Sequence, residues 1–312
     1  MAGFFDITED DIHGLEQKIA IITGGSSGIG FATSEFFSTK GAIVVQADLS
    51  PPPRTLPGSL YTKTDVTSWT DLTRLFRRVI DDYGRVDIVF ANAGVGPKGD
   101  YLDLAIGEDG VPVEPSRLCL EINLMAVANT VALALHYMQK QDAGGNVVMT
   151  TSVAGKICIL NLARADKQVP AKSSPSLYPG YQPFGHEDYT VSKHGVVGIL
   201  RGVREHFYPK RPIRINAIAP SWTDTTIIGL PIAAFEKVGM GVQPPSKVAL
   251  GVGLLVTDPT RHAQTIYSVN GRYKEIEAEI MATTAVAMGF KSIEETEAGR
   301  FQELVKASQE TL

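Results

Sequence analysis

The sequence predicts an α/β protein in which a doubly wound parallel sheet carries helices on both faces. Two observations predict this fold class. From residue 18 onward, apolar runs of strand length alternate with stretches of helical period, which is the pattern of strand–helix–strand units. The chain has 312 residues, of which 44% are hydrophobic, enough for one large core. Neither observation requires a second domain.

The predicted strands are six apolar runs, at residues 18–23, 42–47, 86–91, 146–151, 213–218 and 264–269. Between them, helical spacing predicts helices over residues 31–38, 70–83 and 121–140. The last of these segments is apolar over most of its circumference. We therefore expect it to pack against the sheet or against a second subunit.

Three segments fall outside this regular pattern. Residues 1–17 form an N-terminal extension to a central domain of residues 18–272. Within that domain, residues 163–184 are rich in Pro, Ser and Lys without a sustained period, which predicts a long inserted loop or lid. Residues 273–312 are rich in Ala, Glu and Lys and predict a helical C-terminal extension that Gly289 divides in two.

Charge and cysteine content argue against several classes of protein. With 29 Lys and Arg against 34 Asp and Glu, the formal net charge is −5. This charge argues against sequence-independent binding of nucleic acid and against binding to anionic membranes. Cys119 and Cys158 are too few for a disulfide framework and are not spaced as metal ligands. Residues 1–11 are acidic, unlike a secretory signal, and no uninterrupted apolar run reaches the ~18 residues of a membrane span. We expect a soluble cytoplasmic protein without a metal site.

A glycine-rich turn, residues 23–30 (TGGSSGIG), directly follows the first predicted strand and opens the first helix. Its backbone N–H groups and the positive end of the helix dipole could bind a pyrophosphate. Gly24 permits the turn, Gly28 lets phosphates approach, and Gly30 lets the helix pack closely on the strand. Alone, such a turn is a weak signal that is often only structural. The residues predicted to contact a dinucleotide here are Gly24, Ser26, Ser27, Gly28 and Ile29.

Asp48 ends the second predicted strand, 18 residues past Gly30. An acidic side chain at this place can accept hydrogen bonds from both hydroxyls of an adenosine ribose and would repel the extra phosphate of NADP. The nearest basic candidate is Arg54, beyond three prolines. The position therefore favours NAD over NADP, although a solvated turn aspartate is the alternative.

Tyr189 and Lys193 are spaced i and i+4 in a region of helical period, so they share one face of a helix. A phenol is a poor base at neutral pH, but a neighbouring ammonium would stabilise its phenolate. Tyr189 could then accept the hydroxyl proton of an alcohol while a hydride leaves the alcohol carbon. By itself, the Tyr-x-x-x-Lys pattern arises by chance in many helices.

The two patterns occur together with further polar motifs, and the chain resembles the short-chain dehydrogenase/reductases. The match runs in family order from about residue 18 to residue 272. Its motifs are Thr23-Gly24-x-x-x-Gly28-Ile29-Gly30, Asp65-Val66, Asn92-Ala93-Gly94, Asn123, Ser152, Tyr189-x-x-x-Lys193 and Pro220-Ser221. The resemblance implies a Rossmann-type fold and a nicotinamide cofactor.

The resemblance also implies a role for each matched residue. Ser152 would orient the substrate oxygen, Tyr189 would act as acid and base, and Lys193 would hold the ribose and lower the pKa of the phenol. Asn123 would bend its helix and position a water that passes the proton toward Lys193. The implied cofactor contacts are Asp65 and Val66 at the adenine, Asn92 and Ala93 along the cofactor, and Pro220, Thr223 and Thr225 near the nicotinamide. Taken singly, Asn123, Ser152 and Thr225 could each be only structural.

Three departures from the family pattern stand out. Ala91 replaces the usual first asparagine before Asn92, and Ser221 replaces the glycine that usually follows the proline. Ser152 and Tyr189 lie 37 residues apart, a much larger separation than is common in the family. An insertion at the mouth of the site should affect the shape and access of the substrate while leaving the chemistry in place. His186 could contact substrate, although a loop or capping role is more ordinary.

A weaker resemblance points to the 15-hydroxyprostaglandin dehydrogenase branch, through residues 136–141, 192–198 and 244–255. That branch oxidises secondary alcohols of apolar substrates with NAD and is dimeric. Between residues 226 and 242, six apolar residues could form a lid over an apolar substrate or belong to the core. They are Ile227, Ile228, Leu230, Ile232, Phe235 and Met240.

The sequence therefore predicts an NAD-dependent dehydrogenase that interconverts a secondary alcohol and a ketone on a bulky, largely apolar molecule such as a secondary metabolite. We expect a homodimer or homotetramer, without a nucleic-acid partner or a membrane span. A non-redox enzyme on the same scaffold, such as a dehydratase, epimerase or cyclase, is one alternative. A non-catalytic NAD-binding protein is the other, and the complete set of Ser152, Tyr189 and Lys193 disfavours it.

Overall fold

The computed structural model describes residues 3–153, 187–229, 231–296, 299, 300 and 303. The predicted insertion at residues 163–184 lies outside the described residues, as do Cys158, His186 and Leu230. Eight described strands form one sheet in the order β3-β2-β1-β4-β5-β6-β7-β8. All neighbours are parallel except β7 and β8, which are antiparallel. The strands are β1 Ile19–Thr23, β2 Ile43–Asp48, β3 Ser59–Lys63, β4 Ile88–Ala91, β5 Gly145–Thr150, β6 Ile213–Pro220, β7 Thr265–Val269 and β8 Arg272–Glu275.

Helices cover both faces of this sheet, as the sequence predicts. They are α1 Gly28–Thr39, α2 Trp69–Tyr83, α3 Leu118–Leu120, α4 Ala126–Met138, α5 Glu187–Val203, α6 Ile232–Glu236, α7 Pro245–Thr257 and α8 Glu277–Ala287. Helices α2, α4 and α5 pack on one face through residues such as Phe76, Val131 and Val196. Helices α1 and α7 pack on the other through Phe37 and Val252. The fold is the predicted Rossmann-type arrangement.

Local sequence explains why the helices begin and end where they do. The Ser68 hydroxyl accepts the backbone N–H of Asp71 at the start of α2, and Gly84 ends that helix in the left-handed region at φ 74°. Pro245 occupies the first turn of α7, where its missing N–H costs no helical bond. The strands of the sheet centre are apolar without alternation, because helices bury both of their faces.

Two strands were not predicted. β3 is an edge strand of half-exposed residues with a polar composition, so it has no apolar run. β8 contains the first residues of the predicted C-terminal extension, which therefore begins as a strand and not as a helix. Helix α8 follows it, and Gly289 then adopts φ 86°, which a left-handed turn requires.

The N-terminal extension is part of the packed structure. Ile7, Ile12 and Leu15 are buried in the core beneath α1 and α7. Phe5 and Tyr273 exchange two backbone hydrogen bonds, of 2.8 and 2.9 Å, along the free edge of β8. This pairing covers an edge that would otherwise expose unpaired backbone groups.

By length and composition, the helical stretch Leu118–Met138 could cross a membrane, with a mean hydropathy of 1.8 in its most apolar window. One such helix is a weak indication, since core helices pass the same test. Its residues Val127, Val131 and Met138 pack against the sheet. The stretch also contains a π-helical turn, Glu121–Met125, between α3 and α4.

Candidate active site

The glycine turn between β1 and α1 forms an open anion cradle. Gly24 and Gly28 have φ values of 66° and 49°, in the region that favours glycine. A Cβ on Gly30 would lie 2.0 Å from the carbonyl oxygen of Gly24, so only glycine fits there. The Ser27 side chain does not cap α1, which leaves the first N–H groups of the helix available to a ligand.

Asp48 lies beside this cradle at the end of β2. Its carboxylate accepts the N–H of Ser26 at 3.1 Å and that of Ser50 at 3.2 Å. Arg54, the basic residue nearest in sequence, pairs with Glu35 and stacks over the Phe31 ring at 5.8 Å from its centroid. The end of β2 therefore carries a carboxylate, and the guanidinium of Arg54 is paired with Glu35.

The segment that follows β4 is tied back to β1. Thr23 Oγ1 accepts the N–H groups of Asn92 and Ala93 at 3.0 and 3.1 Å. The Asn92 amide donates to the carbonyl of Thr23, and its oxygen accepts the hydroxyl of Thr150 at 3.0 Å. These bonds fix Asn92 and Ala93 at the carboxyl edge of three neighbouring strands.

Asn123 is fully buried in the π-helical turn, so the helix departs from α geometry where a bend was predicted. Its side-chain oxygen accepts the N–H of Val95 at 2.8 Å, and its amide donates to the Val95 carbonyl at 2.9 Å. The side chain thus pairs with backbone in the manner of a strand. The turn positions Asn123 against the segment that follows β4.

Helix α5 presents Tyr189 and Lys193 on one face, as the spacing predicts. The Lys193 Nζ lies 5.5 Å from the centroid of the Tyr189 ring and donates to the Thr150 carbonyl at 3.1 Å. The hydroxyls of Tyr189 and Ser152 are hydrogen-bonded. Thr151 donates its hydroxyl to the Lys193 carbonyl at 2.9 Å, which fixes the helix to the end of β5. The three groups expected to carry the chemistry are therefore adjacent.

Burial is the largest cause of the pKa shifts of Tyr189 and Lys193. It raises the pKa of Tyr189, an effect that the hydrogen bond from Ser152 opposes. Burial lowers the pKa of Lys193 to about 8. Removal from water is the largest cause of the raised pKa of Tyr189, and the expected lowering of that pKa by Lys193 stays a prediction.

One cavity of about 750 Å³ brings most of the predicted site residues together. The predicted residues that line it are Gly24, Ser27, Gly28, Ile29, Asn92, Ala93, Ser152, Tyr189, Lys193, Pro220, Thr223 and Thr225. The glycine turn and the group of Ser152, Tyr189 and Lys193 therefore line the same cavity.

Five predicted residues do not line this cavity: Ser26, Asp48, Asp65, Val66 and Asn123. Ser26 and Asp48 border the glycine turn as described, and Asn123 lies behind the segment after β4. The Asp65 carboxylate accepts the N–H and hydroxyl of Thr67, at 2.9 and 2.7 Å, in the turn that leads to α2. A contact of Asp65 and Val66 with adenine stays a prediction.

Several residues of the cavity wall lie outside the predicted site. Thr150 ends β5, and Thr151 follows it just before Ser152; this position at the carboxyl end of a central strand is the signal that could have identified them. Trp222 lines the cavity and packs on Phe235 with ring centroids 4.9 Å apart. The segment of residues 95–100 also lines it, without a recognisable motif.

The expected apolar lid divides into separate environments. Ile227 and Ile228 line the cavity. Phe235 is buried, whereas Ile232 is exposed on the outer side. Together with Val95, Val153 and Trp222, the first two give the substrate side of the cavity an apolar wall. Of the apolar residues predicted for a lid, Ile227 and Ile228 line the cavity, whereas Ile232 and Phe235 do not.

Comparison with known proteins finds relatives over most of this chain. The sequence model of the short chain dehydrogenase family matches residues 18–163. The chain is 38% identical to the short-chain dehydrogenase/reductase ascJ of Acremonium egyptiacum, over 89% of this chain and 87% of that protein. It is 30% identical to the short-chain dehydrogenase/reductase prx4 of Penicillium roqueforti, over 93% and 86%. The ligand-free aldohexose dehydrogenase of Thermoplasma acidophilum has a TM-score of 0.64 and 21% identity, over 82% of this chain and 94% of that chain.

Proposed function

Because the chain belongs to the short-chain dehydrogenase/reductase family, we propose that it is an NAD-dependent dehydrogenase interconverting a secondary alcohol and a ketone on a bulky, largely apolar molecule. One observation carries the proposal. The hydrogen-bonded Tyr189 and Ser152, with Lys193 beside them, line the same cavity as the glycine cradle. Trp222 and Ile227 line the same cavity and favour an apolar substrate.

The residues present fit a dinucleotide. Among the described residues, the buried Ser26 hydroxyl has no hydrogen-bond partner, which a phosphate or ribose oxygen could provide. A Cβ on Gly28 would come within 3.1 Å of Thr225, so the glycine keeps the cradle open. The N–H groups at the start of α1 would hold the pyrophosphate, Asp48 the adenosine ribose, and Lys193 the second ribose.

The chemistry at Tyr189 is proton transfer. A bound nicotinamide would accept a hydride from the alcohol carbon or return one to the ketone. Ser152 would donate a hydrogen bond to the substrate oxygen and hold it against the Tyr189 hydroxyl. Tyr189 would take the alcohol proton in oxidation and give it back in reduction. For Asn123, whose side chain pairs with Val95, the family resemblance alone implies that it holds a water passing the proton on toward Lys193.

The direct test measures NADH formation with a panel of bulky secondary alcohols. We expect substrate-dependent NADH formation that falls by about 10³-fold or more in Tyr189→Phe, because the variant keeps the ring and loses the proton-transfer group. Val191→Ala, an exposed site two residues away on the same helix, is the matched control and should keep its rate. NAD binding without turnover on any alcohol or ketone would favour the non-redox or non-catalytic alternatives.

The preference for NAD has its own test. The carboxylate of Asp48 beside the Ser26 turn would repel a 2′-phosphate, and Arg54 is paired with Glu35. We expect NAD to bind at least about tenfold more tightly than NADP, and Asp48→Ser to narrow that ratio by weakening NAD binding. Calorimetry with both dinucleotides measures it. Tighter binding of NADP by the unaltered protein would contradict the assignment of Asp48.

A further inference from the structure

Asp188, the residue before Tyr189, carries a buried carboxylate that the proposed mechanism does not use. The residue is 2% exposed. Its Oδ2 atom accepts the backbone N–H groups of Lys98 at 2.9 Å and Gly99 at 2.8 Å. Its Oδ1 atom accepts the N–H of Tyr189 at 2.6 Å. One side chain therefore joins the wall of the cavity to the first turn of the helix that bears the phenol.

The chemistry of the position explains why it is a carboxylate. A buried carboxylate is costly to remove from water unless hydrogen bonds replace its hydration. Three backbone N–H groups do so here, and bonds to a charged acceptor are roughly twice as strong as neutral ones. A carboxylate has two accepting oxygens, one for the N–H groups of Lys98 and Gly99 and the other for that of Tyr189. The position of Asp188 uses both.

Residues 92–99 run along the cavity and are held by three side chains. Thr23 binds the N–H groups at the start of the segment, and Asn123 pairs with Val95 in its middle. Asp188 holds its far end. Of these three side chains, Asp188 is the one that is also hydrogen-bonded to the backbone of Tyr189. It therefore fixes the position of residues 98–99 relative to the phenol.

Cys119 connects two of these anchors. The Asn123 amide lies 3.3 Å from Cys119 Sγ, and the thiol is also hydrogen-bonded with Asp188 and Ser192. Burial, and then the negative charge of Asp188, raises the pKa of Cys119 to about 11, so the thiol keeps its proton and can donate it to the carboxylate. The anchors of Val95 and of residues 98–99 thus form one connected cluster behind the phenol.

We propose that Asp188 is a positioning residue of the active site, which fixes the cavity wall at residues 98–99 against the Tyr189 hydroxyl. The inference rests on the proposed function and adds a residue outside the family motifs. Because a displacement of about 1 Å can cost about a hundredfold in rate, its loss should act on turnover. The N–H groups that would hold the pyrophosphate lie in the turn between β1 and α1 and at the start of α1, and the bonds of Asp188 go to Lys98, Gly99 and Tyr189, so cofactor binding should change little.

Two substitutions test the role. Asp188→Asn keeps the size of the side chain but offers one accepting oxygen where two are used, and Asp188→Ala offers none. With a secondary alcohol as substrate, we expect kcat/KM to fall about tenfold in the first variant and about a hundredfold in the second, mainly through kcat. The dissociation constant of NAD, measured by calorimetry, should stay within about twofold.

Asp87 provides the matched control. It is also a buried aspartate, it accepts the N–H of Ile19 at 2.8 Å and pairs with Arg85 at 3.1 Å, and it lies at the amino edge of the sheet, away from the cavity. Asp87→Asn should lower the melting temperature while kcat and KM stay unchanged. If Asp188→Asn and Asp188→Ala behave in the same way, losing stability with unaltered kinetic constants, Asp188 is only structural and the proposal is wrong.

Amide hydrogen exchange gives a readout that needs no substrate. Exchange at Lys98, Gly99 and Tyr189 should become faster in Asp188→Ala with NAD bound, and should stay slow at these three amides in Asp87→Asn. Unchanged exchange rates at these three amides in Asp188→Ala would show that Asp188 does not anchor residues 98–99. If the unaltered protein turns over no alcohol, the proposed function fails, and the exchange result decides on the anchor separately.

Discussion

At the scale of single residues, burial shifts the pKa values of Tyr189 and Lys193, the two groups proposed to take part in proton transfer. Removal from water raises the pKa of Tyr189, and the hydrogen bond from Ser152 lowers it again in part. The pKa of Lys193 is about 8, so this residue carries its charge at neutral pH and loses it in mild alkali. Oxidation of an alcohol needs the phenolate as acceptor, and reduction of a ketone needs the phenol as donor. The two directions must therefore depend on pH in opposite ways.

We expect kcat/KM for alcohol oxidation to rise between about pH 6 and about pH 10, and that for ketone reduction to fall over the same range. A phenol with a raised pKa stays protonated until alkaline pH, and the loss of the Lys193 charge above about pH 8 makes the rise shallower. Ser152→Ala should shift the pH profile of oxidation to higher pH by about one unit, because the lost hydrogen bond to Tyr189 is worth about 1 kcal/mol. Steady-state rates in both directions measure this. Flat profiles would contradict the role of Tyr189.

Single residues were predictable where chemistry fixes a spacing. Gly24, Tyr189 and Lys193 stand in patterns that a phosphate or a proton transfer requires, and the structure brings them to one cavity. Asp188 has no such signature, because an acidic residue in the first turn of a helix is also typical of a solvated helix start. Only its burial, which depends on packing from distant parts of the chain, distinguishes it.

At the scale of elements, Arg214 shows how a charged side chain on a central strand completes a helix. It is buried on β6, and its guanidinium donates to the carbonyl oxygens of Leu255 at 3.0 Å and Val256 at 2.8 Å. A third bond of 2.5 Å reaches the carbonyl of Arg261. The last carbonyls of a helix have no partner within it, and a cation there also interacts well with the helix dipole. Arg214 thus caps the C-terminus of α7.

Arg214→Met should lower the free energy of unfolding by about 3–5 kcal/mol, because it leaves buried carbonyl groups unpaired while keeping similar volume. Arg214→Lys keeps the charge with fewer donors and should lose about half as much. Urea denaturation measures both. Arg78→Met, at an exposed arginine paired with Asp82 on α2, is the control and should change stability by less than about 0.5 kcal/mol. Equal losses in Arg214→Met and Arg78→Met would show that the cap contributes nothing.

The elements themselves were predictable to the extent that burial leaves a pattern in sequence. The central strands β1 and β4 are apolar without alternation because both of their faces are covered. β3 and β8 lie at the two edges of the sheet and are largely polar, so sequence alone does not separate them from loops. Only Tyr273 on β8 is fully buried, and its partner Phe5 is at the opposite end of the chain. No local pattern could predict that pairing.

At the scale of the whole molecule, the fold covers one edge of its sheet and leaves apolar side chains exposed on α3, the π-helical turn and α5. The N-terminal extension covers the edge at β8, where Phe5 pairs with Tyr273 and the Phe4 ring packs on Tyr267. The outward residues of α3, the π-helical turn and α5 include exposed apolar side chains, at Leu118, Met125 and Val191. Exposed apolar side chains grouped on adjacent helices are typical of a subunit interface. This is the face on which we propose a second copy of the chain.

The unaltered chain should therefore run as a homodimer in light scattering, and Met125→Glu with Val191→Glu should reduce it to a monomer. Met125 and Val191 are 56% and 55% exposed, so the changes cost little in the free subunit, whereas association would remove the new carboxylates from water. Val286→Glu with Met288→Glu is the matched control, at apolar side chains 62% and 65% exposed, and should keep the dimer. A homotetramer that falls to a dimer would place this face at one of two interfaces. A dimer that persists in the Met125 and Val191 variant would show that the subunits meet elsewhere.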